Sequence, residues 1–142
     1  MAPEVLFGNE YQIASEWWSF GCLVYEMLTG QPPFLTKSTQ EKLFKKIKYQ
    51  QPDLKLSYLS NDSIDLLQHL LEKDPEKRLG SGPEGFKQIM NHQWFSKVDW
   101  SQLYNKQCIS PYKPHLDKDT DLKYFSEDFT NLKISSDDSN HF

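Results

Sequence analysis

The sequence predicts a mainly α-helical lobe followed by an extended, partly disordered tail, on three observations. The segment "SEWWSFGCLVYEMLTG", Ser15 to Gly30, is apolar nearly all round and closes on a glycine at a C-cap position, the pattern of a helix buried on every side. Two later segments, around Leu43 to Ile47 and Leu67 to Leu71, repeat apolar residues at helical spacing. From about Asn105 the composition turns to Pro, Lys, Asp and Ser, with Tyr112, Tyr124, Phe125, Phe129 and Phe142 spaced singly and without helical period. Such a segment needs a docking surface elsewhere.

Taken in order, the first helix is the expected core and "QPPF" after it a rigid loop. Ser38 or Thr36 is the expected cap of a shorter helix, with Leu43, Phe44 and Ile47 inward and Lys42, Lys45 and Lys46 on a solvated face. Ser60 or Asn61 opens the next helix, which runs to about Glu72. That capping chemistry also accounts for the glycosylation-like "NDS" at Asn61. A further helix is expected over about Glu84 to Asn91, before the aromatic cluster Trp94, Phe95 and Trp100.

A chain of 142 residues accommodates about one domain, and 20 acidic against 16 basic residues give a net charge of -4, which argues against a nucleic-acid partner. No run of 18 apolar residues occurs, and "MAPEVLFGNEYQ" lacks the basic and apolar regions of a signal peptide, so a soluble intracellular chain is expected. The two cysteines, Cys22 and Cys108, carry no metal-ligand spacing, and Cys22 falls in the apolar helix as a small core residue.

"GSGPEG", Gly80 to Gly85, fits the G-x-G-x-x-G pattern of phosphate-cradling loops. Its context does not fit, because a helical segment and Asp74-Pro75 precede it where a strand is needed. Pro83 lacks an amide donor, Glu84 repels phosphate, and Lys87 stands where the kinase form of the loop has Val. A glycine-rich turn is expected.

The motifs "APE" (Ala2–Glu4), "EWWSFGCLVYEMLTGQPPF" (Glu16–Phe34), "DPEKRLG" (Asp74–Gly80) and "HQWF" (His92–Phe95) are followed by "SPYKP" (Ser110–Pro114) and "DTDLKYFSEDFT" (Asp119–Thr130). In this order they resemble an AGC-type serine/threonine protein kinase, in the manner of the protein kinase B and ribosomal-protein kinase branches. The resemblance implies that residues 1–95 are the helical C-terminal lobe of a kinase catalytic domain and residues 96–142 an incomplete C-terminal tail. It implies a parent enzyme, cytoplasmic or nuclear, that uses ATP and Mg to phosphorylate protein Ser/Thr. The ATP loop, catalytic Lys, H-R-D and D-F-G of that family lie upstream of A-P-E. The chain is therefore expected to be an inactive fragment without the N-terminal lobe, with no catalytic residue and no metal ligand of its own; "DFT" at Asp128 has Thr where the metal motif needs Gly. The alternative is a noncatalytic docking or scaffold module that binds a kinase partner or substrate.

Individual positions follow from the same resemblance. Met1 and Glu26 are implied substrate contacts, Met1 beside the residue after the phosphorylated one and Glu26 against a basic residue. Phe125 is the implied tail aromatic that reaches the adenine pocket, and "PYKP" is tail packing rather than an SH3 ligand. Arg78, the chain's one arginine, is implied to pair with Glu4. Glu16 stands where the family has Asp, which puts its anchoring of the catalytic loop in doubt. Ser135, Ser136 and Ser139 are candidate phosphosites by position alone, in an end whose default reading is an acidic, serine-rich disordered segment, and the resemblance implies that Phe142 is the first aromatic of a truncated motif.

Overall fold

The computed structural model describes residues 1–132, which divide into two compact units, Met1–Lys106 and a second beginning at Gln107. No strand occurs among the described residues. The first unit is built on α2 (Ile13–Thr29), preceded by a single turn, α1 (Pro3–Leu6), and followed by α3 (Gln40–Tyr49), α4 (Asn61–Leu70), α5 (Gly85–Met90), a 3-10 turn at Gln93–Phe95 and α6 (Trp100–Tyr104).

α2 ends as its sequence requires: Gly30 adopts φ +75° and returns its N–H to the Glu26 carbonyl at 2.8 Å. Its buried face, with Trp18 and Val24, packs on Leu66, Leu67, Leu70 and Leu71, all fully buried. The two helices approach closely because Gly21 carries no side chain; a Cβ there would lie 2.8 Å from the Leu70 Cβ.

Three expectations need correction. α2 is not buried on every side: Ile13, Leu23 and Met27 are 58%, 54% and 66% exposed, because the packing partners lie along the opposite face and no described element covers this stripe. α3 is not capped by Ser38 or Thr36; Thr39 is its N-cap without a side-chain bond, and the Thr36 hydroxyl instead accepts from the Ser38 N–H at 3.2 Å. Ser60 caps α4, accepting from the Ser63 N–H, and the helix stops at Leu70 rather than Glu72. Lobe packing continues past residue 95, where Phe95 meets Trp94 and Trp100 with ring centroids 4.7 and 5.3 Å away and the Trp100 indole donates to the Met90 carbonyl.

In the second unit the Asp121 carboxylate accepts from the Asp117 and Lys123 N–H groups, bonds that hold its pKa below the usual aspartate range, and a single turn, α7, covers Glu127–Thr130. Nearly every described residue from Gln107 onward is exposed. Amide hydrogen exchange of residues 107–132 is therefore expected to be fast, with the protected amides confined to α2 and α4. Protection around Phe125 comparable to that of α4 would refute this.

Candidate functional site

The site grows from the junction of α2, the "QPPF" loop and α3. Trp18, buried in the first half of α2, stacks on Phe34 of the loop at 5.6 Å with planes 5° apart. The proline pair before Phe34 stiffens the loop that presents it. The Lys73 ammonium lies 4.7 Å from the Trp18 ring centre and 4.2 Å from that of Phe34, and donates to the Ile47 carbonyl at 2.8 Å. One cation thus ties α3 to α2 through two aromatic faces. Burial pushes the Lys73 ammonium down to about 8, which leaves it charged at neutral pH.

On this floor lies a groove of about 250 Å³, lined by Met1, Cys22, Glu26, Phe34, Leu43 and Ile47 among others. Met1 and Glu26, named separately by the sequence, are brought to the same groove, both exposed. Glu26 sits one turn before the C-terminus of α2, where the helix dipole disfavours negative charge, and it has no ion-pair partner among the described residues. Burial pushes the Cys22 thiol up to about 11, so it packs as a small apolar group rather than reacting as a thiolate.

Behind the groove, Arg78 and Glu4 form a two-pronged ion pair, Nη1 to Oε1 at 2.7 Å and Nη2 to Oε2 at 2.9 Å, with the residues 1% and 7% exposed. Every nitrogen of the guanidinium is engaged: Nη1 also donates to the Ala14 carbonyl, Nε to that of Glu72 and Nη2 to that of Lys73. The Ser15 hydroxyl donates to the Glu4 carboxylate at 2.9 Å. Burial works to raise the Glu4 pKa, but the hydrogen bonds from Arg78, its own N–H and Ser15 outweigh it and hold the carboxyl below the usual glutamate range. The guanidinium carbon also lies 5.1 Å from the Trp18 ring centre, so the pair and the groove floor share one indole.

Other candidates fall elsewhere. Phe125 belongs to the second unit and is 64% exposed. Glu16, in the first turn of α2, is exposed and accepts from the Tyr11 hydroxyl, a bond that raises the Tyr11 pKa ahead of burial. Ser135, Ser136, Ser139 and Phe142 lie outside the described residues. The "GSGPEG" residues do not fit a phosphate group. The Ser81 and Gly85 N–H groups are spent on the Arg78 and Gly82 carbonyls, Pro83 has none, and α5 beyond them is only six residues long. No cluster of three His, Cys, Asp or Glu suited to a metal occurs among the described residues. Sequence reasoning missed Lys73, one charge among several in "EKDPEK"; its spacing of three from buried Leu70 was the available signal.

No helix among the described residues is long and apolar enough to cross a membrane. Residues 1–95 match the protein kinase domain. The chain is 44% identical over 130 residues to protein kinase C-like 2 of Schizosaccharomyces pombe, covering 92% of this chain and 13% of that protein. It is 40% identical over 137 residues to the Arabidopsis thaliana serine/threonine-protein kinase AtPK2/AtPK19, covering 94% and 28%. Against the human RAC-beta serine/threonine-protein kinase the identity is 37% over 135 residues, covering 95% and 28%. The chain thus spans 13% to 28% of the length of these relatives. With an all-helical lobe built around the "EWWSFGCLVYEMLTGQPPF" helix and a match over most of its length, the chain belongs to the protein kinase domain family, among the AGC-type serine/threonine kinases.

Proposed function

We propose that this chain is the substrate-side helical part of a serine/threonine protein kinase, whose whole transfers the ATP γ-phosphoryl group to protein hydroxyls and holds ATP and Mg through residues other than these 142. In this reading the chain's own task is to seat the protein substrate. Met1 supplies an apolar wall, Glu26 accepts a basic substrate residue, and the Glu4–Arg78 pair fixes the segment that carries Met1. Phe125 serves as the tail's contact to the adenine side. The observation that carries the reading is the meeting of Met1 and Glu26 in one groove whose floor, Trp18, is also packed against Arg78.

Catalysis in this class is phosphate positioning and metal neutralisation. The chain made as it stands is therefore expected to show no heat of ATP–Mg binding in calorimetry and no phosphate transfer to a peptide. An arginine-containing peptide is expected to bind weakly, and Glu26→Gln to abolish its preference over the glutamine-substituted peptide. ATP binding that disappears in Gly80→Ala/Gly82→Ala would overturn the reading of the loop, and indifference to the peptide's arginine that of the groove. A noncatalytic docking role would use the same groove; a transcript whose 5′ end lies at Met1 would favour it, and an upstream frame encoding H-R-D and D-F-G would count against it.

A further inference from the structure

α3 has two working faces. Leu43 and Ile47 line the groove of Met1 and Glu26, while Lys42, Lys45, Lys46 and Tyr49, at helical spacings of three and four, line a second groove of about 300 Å³. The two grooves share Thr36, and they meet at Lys46, whose ammonium donates to the carbonyl of Leu35, itself a residue of the first groove, at 2.9 Å. The charges at the two ends are opposite. Glu26 stands in the first groove, while α3 carries Lys42, Lys45, Lys46 and Lys48 against Glu41 alone, in a chain whose net charge is -4. Lys45 is engaged with Glu41 at 2.7 Å, but both side chains are open to water, so the pair yields readily to another carboxylate. Lys42 has no ion-pair partner among the described residues, and the Lys48 ammonium, 4.0 Å from the Phe7 ring centre and 5.2 Å from that of Tyr49, does not line this groove.

We infer that the two grooves form one peptide track with opposite polarity at its ends, selecting protein segments that carry an acidic residue beyond the apolar residues in the first groove and a basic residue at Glu26. This rests on the substrate-seating reading of that groove and adds to it the requirement for an acidic side chain. A solvated lysine face would account for the lysines alone. It does not account for their opening onto the Glu26 groove through Thr36 and Lys46.

Fluorescence anisotropy of labelled peptides on the full chain tests this. The peptides contain two arginines, a short apolar stretch and two aspartates, made in both chain directions, with Asp→Asn and Arg→Gln counterparts. In one direction the aspartate peptide is expected to bind about fivefold tighter than its Asn counterpart in low salt, a preference that weakens as salt is raised. Lys42→Glu/Lys45→Glu should erase or invert that preference and leave the arginine preference in place, whereas Glu26→Gln should do the reverse. Lys42→Gln, at an exposed position where a surface substitution is expected to leave stability nearly unchanged, provides a second variant. Equal binding of the Asp and Asn peptides with arginine preference intact would overturn this inference and leave the substrate-seating reading standing. An aspartate preference unchanged in Lys42→Glu/Lys45→Glu would also overturn it. Indifference to both charges would overturn both readings.

Discussion

Arg78→Ala is expected to destabilise the lobe by about 3–5 kcal/mol, because it leaves the Glu4 carboxylate buried without its counter-charge and strips a donor from three backbone carbonyls. That is a large part of the ~5–15 kcal/mol that holds a small domain. Arg78→Lys keeps the charge but cannot form two parallel N–H···O bonds, so it should fall between Ala and wild type. Urea unfolding of Arg78→Ala, Glu4→Ala and the double variant gives the coupling energy directly. A cost under about 1 kcal/mol with no coupling would reduce the pair to the value of a surface contact. The acid limb supplies a second readout. Because the folded Glu4 carboxyl titrates below its ordinary range, its contribution is present above about pH 4.3, the unfolded value, and is lost as pH falls through the depressed folded value. Glu4→Gln should lack that component of the acid loss.

Gly80→Ala and Gly85→Ala are each expected to cost about 2–4 kcal/mol, through backbone strain at the first and overpacking at both. Gly80 adopts φ +93°, and a Cβ there would lie 2.5 Å from the Trp17 indole; a Cβ on Gly85 would meet the Gly80 carbonyl oxygen at 2.0 Å. Gly82 has nothing within 4 Å and is not left-handed, so Gly82→Ala should stay within about 0.5 kcal/mol of wild type. The glycines are thus spaced by the needs of a turn folded against α2, not by those of a phosphate. Urea midpoints of the three variants check the ordering, and equal small effects at all three would contradict it.

The helix cores were legible because each rests on a local rule: the apolar run of α2 with its closing glycine, the leucine spacing of α4, and Ser60 as a cap. The pairing of Glu4 with Arg78 was not legible from spacing, since the two stand 74 residues apart; it was named through the family likeness of "APE" and "DPEKRLG". The uncovered stripe of Ile13, Leu23 and Met27 escaped notice because a sequence records which residues are apolar, not which have neighbours. The short helices α1, α6 and α7 were missed for a related reason, since four or five residues carry too little periodicity to register. Lys73 shows the converse: a charge whose neighbours in sequence are charged, yet whose neighbours in space are two aromatic rings.

The 74-residue separation of Glu4 and Arg78 also bears on the order in which the chain assembles. Closing a flexible loop of that length costs about 4 kcal/mol of entropy beyond a constant. The contact therefore cannot lead folding; the local α2–α4 region has to bring Arg78 into place first. α1 is a single turn whose one buried charge finds its counter-charge only 74 residues along the chain. On a ribosome adding ~5–20 residues per second, Glu4 waits roughly 4–15 s for its partner to be synthesised, and longer for it to clear the exit tunnel. The segment that carries Met1 into the groove is thus made well before its partner and is among the last parts of the lobe to be secured.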